Sequence, residues 1–180
     1  MPKEDHGTTY SFDVCSQCKS ICCQDAKPPL TSNRKKIIEE YLKKNKIKLA
    51  KPFAKGEYSY PEVDRDVYCR LFNKKTGKCL VHLVKPETCV AGPITFDINF
   101  NTQKVCFFLK KAEICAYAGA LFKDKPALKK HFEVARKQII ELIEQLSAEE
   151  LRALMKINEP QTFKFCEDPL SPAIIKKLDL

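Results

Sequence analysis

No stretch of this sequence approaches the roughly 18 consecutive apolar residues that a membrane-spanning helix needs, so no span is expected. The first residues, Met1-Pro2-Lys3-Glu4-Asp5-His6-Gly7, lack the apolar core and small-residue cleavage site of a secretory signal. Secretion is therefore not expected, and a cytoplasmic location is. Tryptophan is absent and there are only five glycines. There is no G-x-G-x-x-G, no P-loop and no H-E-x-x-H, so the common nucleotide-binding and zinc-protease signatures are missing. The spacing C-x-x-x-C-x-x-C of radical enzymes is absent too, and 180 residues are few for the barrel that such chemistry uses.

Arginine is scarce: only five of the 32 basic residues, although the net charge is +9. Such a charge attracts nucleic acid, anionic membrane or an acidic protein partner. Arginine, though, is the residue enriched where phosphates or bases are read by paired hydrogen bonds. A lysine-rich, arginine-poor chain is read more simply as having a solubilising surface.

What the chain does have is cysteine, ten in all. Four fall within nine residues, Cys15-Ser16-Gln17-Cys18-Lys19-Ser20-Ile21-Cys22-Cys23. A C-x-x-C loop lets two thiolates reach one ion with little backbone strain. A thiol four residues further on returns to the same place if the segment turns helically. Disulfides need an oxidising compartment, so clustered cysteines in a cytoplasmic chain point to metal. Soft thiolates select zinc, copper(I) or iron–sulfur clusters over magnesium or calcium.

At this length one domain, 1–180, is expected, with a cysteine-bearing part over 12–120 and a helical part over 121–180. The first 120 residues hold nine of the ten cysteines. Thr31 or Ser32 caps a helix running to about Asn45, with Ile37, Ile38, Tyr41 and Leu42 at helical spacing. Residues 46–68 read as irregular or extended, and Tyr58, Tyr60, Asp64 and Asp66 as a solvated loop. Val67–Phe72 reads as a short strand, Asn73–Gly77 as a turn with Gly77 at positive φ, and Lys78–His82 as the return. Pro86 opens a helical turn ending at Cys89. Ile94, Phe96, Ile98 and Phe100 alternate with polar residues as a half-buried strand, and 105–109 runs back beside it. From Asp124 the longest apolar stripe begins: Leu128, Phe132, Ala135, Ile139, Leu142, Ile143 and Leu146. Ser147-Ala148-Glu149-Glu150 opens a shorter helix through about Met155. The tail holds Cys166 and a capped turn from Ser171-Pro172. The expected class is α+β: a small, loop-rich, cysteine- and metal-stapled domain with short antiparallel hairpins and several helices, the longest near the C-terminus.

These residues resemble the YkgJ-like cysteine-cluster proteins, whose signature C-x-x-C-x-x-x-C-C is filled here by Cys15, Cys18, Cys22 and Cys23. The family continues with a helix and a cysteine before a small hairpin, matched by Cys69. A cysteine after the glycine turn is matched by Cys79, and an R-P-x-x-C segment by Lys85-Pro86-Glu87-Thr88-Cys89. A strand pair and one further cysteine follow, matched by Cys115. The resemblance covers about 12–120. Lys85 stands where the family usually has arginine, and Val90-Ala91-Gly92-Pro93 replaces its usual arginine and aromatic residue. Cys106 and Cys166 lack a certain counterpart. The resemblance implies a zinc- or iron-chelating domain. Some members look like flagellin lysine methylases, which implies a reaction only by analogy.

The eight matched thiols, Cys15, Cys18, Cys22, Cys23, Cys69, Cys79, Cys89 and Cys115, are the expected metal ligands. They can serve two four-coordinate sites, or one site with redox or supporting thiols. A four-thiolate zinc site would staple a loop-rich fold, and a 4Fe-4S cluster uses four thiolates as well. The cluster is favoured, because zinc sites seldom gather eight thiols at such irregular spacing. A redox, metal-handling or cluster-dependent modification role follows. The alternatives are a zinc-stapled module with a basic surface for nucleic acid or an acidic partner, and a lysine methylase-like enzyme. His82 is read as a strand residue rather than a ligand, His6 and His131 as incidental, and Cys106 and Cys166 as small buried hydrophobes by default.

Overall fold

The computed structural model describes residues 22–24, 26–157 and 161–180. The lead-in with Cys15 and Cys18 therefore lies outside the described residues. The first helix, α1 (Ser32–Lys44), is capped by Thr31, whose hydroxyl accepts from the Arg34 N–H. Ile38 and Leu42 turn inward, while Lys43 and Lys44 complement the helix dipole at its C-terminal end.

Residues expected to be irregular contain a small hairpin, β1 (Phe53–Lys55) against β2 (Ser59–Pro61). Ser59 also accepts from the Leu30 N–H at 2.8 Å, which ties the hairpin to the start of α1. Tyr58 is buried in the core, a correction to its reading as part of a solvated loop. The expected strand over Val67–Phe72 contracts to β3 (Phe72–Asn73), paired with β4 (Lys78–Cys79). The reason lies upstream. The Asp64 carboxylate accepts from the N–H groups of Asp66 and Tyr68, folding 64–68 into a tight turn with Val67 at φ 58°. Cys69 is left with one bridge, to Val63, rather than a strand. Gly77 does take positive φ, 66°. The return strand ends at Cys79, and His82–Val84 forms a 3-10 turn, so His82 is not a strand residue. Helix α2 (Glu87–Ala91) follows Pro86 and runs two residues past Cys89.

Strands β5 (Ile94–Asn99) and β6 (Lys104–Lys110) pair as the alternation requires. Ile94, Ile98, Val105, Phe107 and Leu109 point to one buried face. A third strand, β7 (Thr162–Pro169), joins the other edge of β6. It crosses the expected boundary at residue 120, pairing the C-terminal segment with the cysteine-bearing one. Helices α3 (Ala116–Lys123), α4 (Lys125–Gln145), α5 (Ala148–Leu154) and α6 (Pro172–Leu178) cover the buried face. The capping box of α5 forms, with Ser147 accepting from the Glu150 N–H and the Glu150 carboxylate reaching back to the Ser147 N–H.

The protein is α+β, built from short antiparallel pairings and several helices, with α4, its longest, in the C-terminal half. Two apolar clusters result. The larger joins the sheet to Leu128, Ala135, Ile139, Leu142 and Ile143 of α4. The smaller gathers Leu30, Ile38, Leu42, Cys69, Leu71 and Val81. Among the described residues no helix is long and apolar enough to cross a membrane.

The clusters are tied through α2. Glu87 is 2% exposed, and one carboxylate oxygen accepts from the Thr31 hydroxyl at 2.6 Å. Thr31 thus caps α1 and bonds one oxygen of a buried carboxylate with the same hydroxyl, while the other oxygen, Oε2, is buried without a hydrogen-bond partner. Thr31→Val removes both bonds while keeping the shape. It should cost about 2–4 kcal/mol, the sum of a lost cap and a stranded buried acceptor, with Thr31→Ser close to wild type. Urea unfolding of the three proteins checks this; a Thr31→Val protein as stable as wild type contradicts it.

Candidate metal centre

Cys22 and Cys23 form a turn whose exit pairs with the strand-like run before β3. Gln24 bridges Tyr68, and the Cys69 N–H donates to the Cys23 carbonyl at 2.8 Å. Cys69 is held there by the Asp64 turn, which Lys74 braces from outside through ion pairs of 2.6 and 2.5 Å to Asp64 and Asp66. Cys79 lies in the β3–β4 pair opposite Phe72, which is three residues on from Cys69. Cys23, Cys69 and Cys79 all pack on the smaller core. From there Val81, the 3-10 turn and Lys85-Pro86 lead into α2, which presents Cys89.

The electrostatics relate these thiols to one another. The Cys23 S–H bonded to the Cys22 sulfur lowers the Cys22 pKa to about 6, with the ammonium groups of Lys110 and Lys85 helping against the cost of burial. The same bond pushes Cys23 up, as do its burial and the negative charge of Cys22, Cys89 and Cys79. Burial raises Cys69 to about 11, with the charges of Cys79 and Cys22 adding to it. Burial also raises Cys79 and Cys89, and in both Lys85 opposes the rise. Four separated pieces of chain therefore bring five of the expected ligands, Cys22, Cys23, Cys69, Cys79 and Cys89, within electrostatic reach. Cys115 precedes α3 and is partly buried against the larger core.

The donor chemistry fits a soft metal. Sulfur dominates; Glu87, two residues before Cys89, turns its Oε1 to Thr31 and Arg34, 3.7 Å from Arg34 Nε, while its buried Oε2 has no hydrogen-bond partner. Among the described residues, however, no three His, Cys, Asp or Glu side chains close into a ligand set. The thiols are gathered but not clamped, and Cys15 and Cys18 lie outside the described residues.

Two buried polar residues were not foreseen as buried in the sequence. His131, read as incidental, is 2% exposed on α4. Its Nε2 donates to the Ala91 carbonyl at 3.0 Å, Tyr117 packs edge-on against the ring at 5.5 Å, and burial lowers its pKa. The signal was present: His131 falls between Leu128 and Ala135 in the apolar stripe. Lys85, noted only as a replacement for arginine, is buried. Cys106 is buried on β6, and Cys166 is half-buried on β7, opposite Phe107.

The family model labelled CxxCxxCC and described as "Putative zinc- or iron-chelating domain" matches residues 14–116. The chain belongs to this family. The matched region holds nine of the ten cysteines and stops before α4, so the long helix and β7 lie outside it. No curated protein and no solved structure matches the chain.

The ordering of the thiols is measurable, because the thiolate is the reactive form. In reduced, chelator-treated protein, alkylation of Cys22 by iodoacetamide should rise with pH around an inflection near 6, and Cys69 should inflect near 11. Peptide mass spectrometry across a pH series reads both. A Cys22 inflection at the ordinary thiol value of about 8.5 contradicts the arrangement.

Proposed function

We propose that this protein holds a soft metal in a thiolate-rich centre, with Cys22, Cys23, Cys69, Cys79 and Cys89 forming its described part. Cys15, Cys18 and Cys115 complete the proposed ligand set. The observation that carries the reading is the meeting of five thiols from four chain segments in one electrostatic neighbourhood. Four of them are raised by their surroundings, so a buried cluster of thiolates is unfavourable without a cation. A bound metal reverses this and deprotonates its thiols outright.

An iron–sulfur cluster is favoured over zinc, because scattered loops rather than paired knuckles supply the sulfurs. When bound, such a group would supply redox or metal-transfer chemistry. The chain's own part is to gather the thiols, bury them against Leu71 and Val81, and offset their charge. A reducing compartment such as the cytoplasm suits free thiols in this number.

Metal and acid-labile sulfide on anaerobically purified protein, with its visible spectrum, test the reading. Iron with sulfide and brown colour is expected; zinc in a colourless protein would make the centre structural. Cys89→Ser should lose most of the metal and lower stability by several kcal/mol, since metal binding and folding are coupled. A Cys89→Ser protein with full metal content and unchanged melting would sink the assignment of this ligand.

A further inference from the structure

Lys74 lies just past β3, in the connection to β4, and its ammonium meets three side chains of one turn. Nζ stands 2.6 Å from one Asp64 carboxylate oxygen, 2.5 Å from Asp66 and 4.8 Å from the centre of the Tyr68 ring. The other Asp64 oxygen accepts from the Asp66 and Tyr68 N–H groups at 2.9 and 3.0 Å. The Asp64 N–H closes the same turn on the Tyr68 carbonyl at 2.8 Å. Tyr68 in turn stacks on Phe72, with ring centres 5.7 Å apart and planes 13° from parallel. An isolated exposed ion pair contributes little, but two carboxylates and a ring on one ammonium form a network that fixes geometry.

The turn is held against a backbone preference. Val67 is β-branched and takes φ 58°, a region such residues avoid because Cβ crowds the following carbonyl. Its side chain is 44% exposed, so burial does little to offset the strain. Strain of this kind persists only where surrounding bonds over-determine the chain. Here those bonds are made by Asp64, and Lys74 ties Asp64 to the next hairpin. The consequence falls on the residue that follows the turn. The Cys69 N–H donates to the Cys23 carbonyl at 2.8 Å, and the Cys69 carbonyl accepts from the Phe72 N–H at 2.9 Å. Phe72 is the partner of Cys79 across β3 and β4. One lysine therefore ties the segment that carries Cys69 to the hairpin that carries Cys79, and Cys23 follows through a direct backbone bond.

We propose that Lys74 and Asp64 are positioning residues of the thiol centre, which fix the backbone around Cys69 in the metal-free protein. The ordering of that segment then belongs to folding rather than to metal binding, and affinity rises by the ordering cost removed from the binding step. The inference rests on the metal-centre reading above and goes beyond it by assigning a role to two residues that ligate nothing.

Zinc alone is the probe, titrated into the reduced, chelator-treated full chain against a chromophoric competitor. Lys74→Met removes the ammonium and keeps the stem, Lys74→Arg keeps the charge, and Asp64→Ala removes the acceptor that folds the turn. Ser147→Ala is the control: it removes the cap of α5, in the larger core, and lowers stability without touching the turn. Circular dichroism and thermal melting of the metal-free proteins establish that each variant is folded. Should Asp64→Ala fail to fold, the Lys74 pair still decides, because that side chain is 39% exposed. Lys74→Met and Asp64→Ala should each weaken zinc binding by about tenfold, the scale of fixing one residue's backbone on binding. Lys74→Arg should bind within about threefold of wild type, and Ser147→Ala within about twofold despite its lower melting temperature. Amide exchange of Tyr68 and Cys69 in the metal-free protein should quicken in Lys74→Met and Asp64→Ala and not in the control. Unchanged zinc affinity in Lys74→Met or Asp64→Ala overturns the role of that residue while leaving the centre intact. Equal weakening in Lys74→Arg and Lys74→Met, or in the Ser147→Ala control, overturns the positioning role too, since charge at the turn would then not decide. A wild-type protein that takes up neither zinc nor ferrous iron overturns the centre itself, and the positioning role with it.

Discussion

The segment Lys85–Ala91 is the constraint on which the rest of the described fold depends. Among the described residues, the buried polar side chains all lie on it or against it: Lys85 and Glu87 belong to it, Thr31 bonds Glu87, and His131 bonds the Ala91 carbonyl. Inside a protein an unmet polar group is costly, so these bonds fix where each element can sit. Thr31 fixes the start of α1, Arg34 links it on to Gln138 of α4, and His131 fixes α4 from the other side. Ala91 lies in the larger cluster and Thr31 beside Leu30 of the smaller, so one short helix joins both cores. Cys89 is mid-way along that helix.

The gathered thiols add a second, electrostatic constraint, of opposite sign. The hydrogen bond to Cys22 and then burial raise Cys23, and burial raises Cys69, Cys79 and Cys89, with like charge adding to it, so the neighbourhood resists negative charge. Only Cys22, stabilised by the Cys23 hydrogen bond and by Lys110 and Lys85, departs in the other direction. A site of this kind is poor at holding bare thiolates and suited to a cation that binds several at once. The family to which the chain belongs is described as a zinc- or iron-chelating domain.

Much of this was legible from spacing. The helix under Thr31, the β5–β6 pair, the long stripe of α4 and the capping box at Ser147 each follow from local patterns that the tertiary structure does not override. Misreadings came where side chains rather than periodicity decide. Asp64 folds its own backbone into a turn and denies Cys69 a strand. Strand β7 carries Lys164, Glu167 and Asp168, so its alternation is hidden; it forms because β6 offers an open edge. Glu87 and Lys85 look like surface charges in the sequence, since nothing local announces their burial or, for Glu87, a partner 56 residues away. The cysteine pattern told which residues to watch. How near they stand to one another had to come from the fold.

X-ray absorption at the metal edge of anaerobically purified protein tests the central claim most directly, because it reads the atoms around the metal whatever the metal is. A shell dominated by sulfur at about 2.3 Å is expected, with iron–iron scattering in addition if a cluster is present. A shell of nitrogen and oxygen at about 2.0–2.2 Å would contradict it, and would mean that the gathered thiols serve some purpose other than holding the metal.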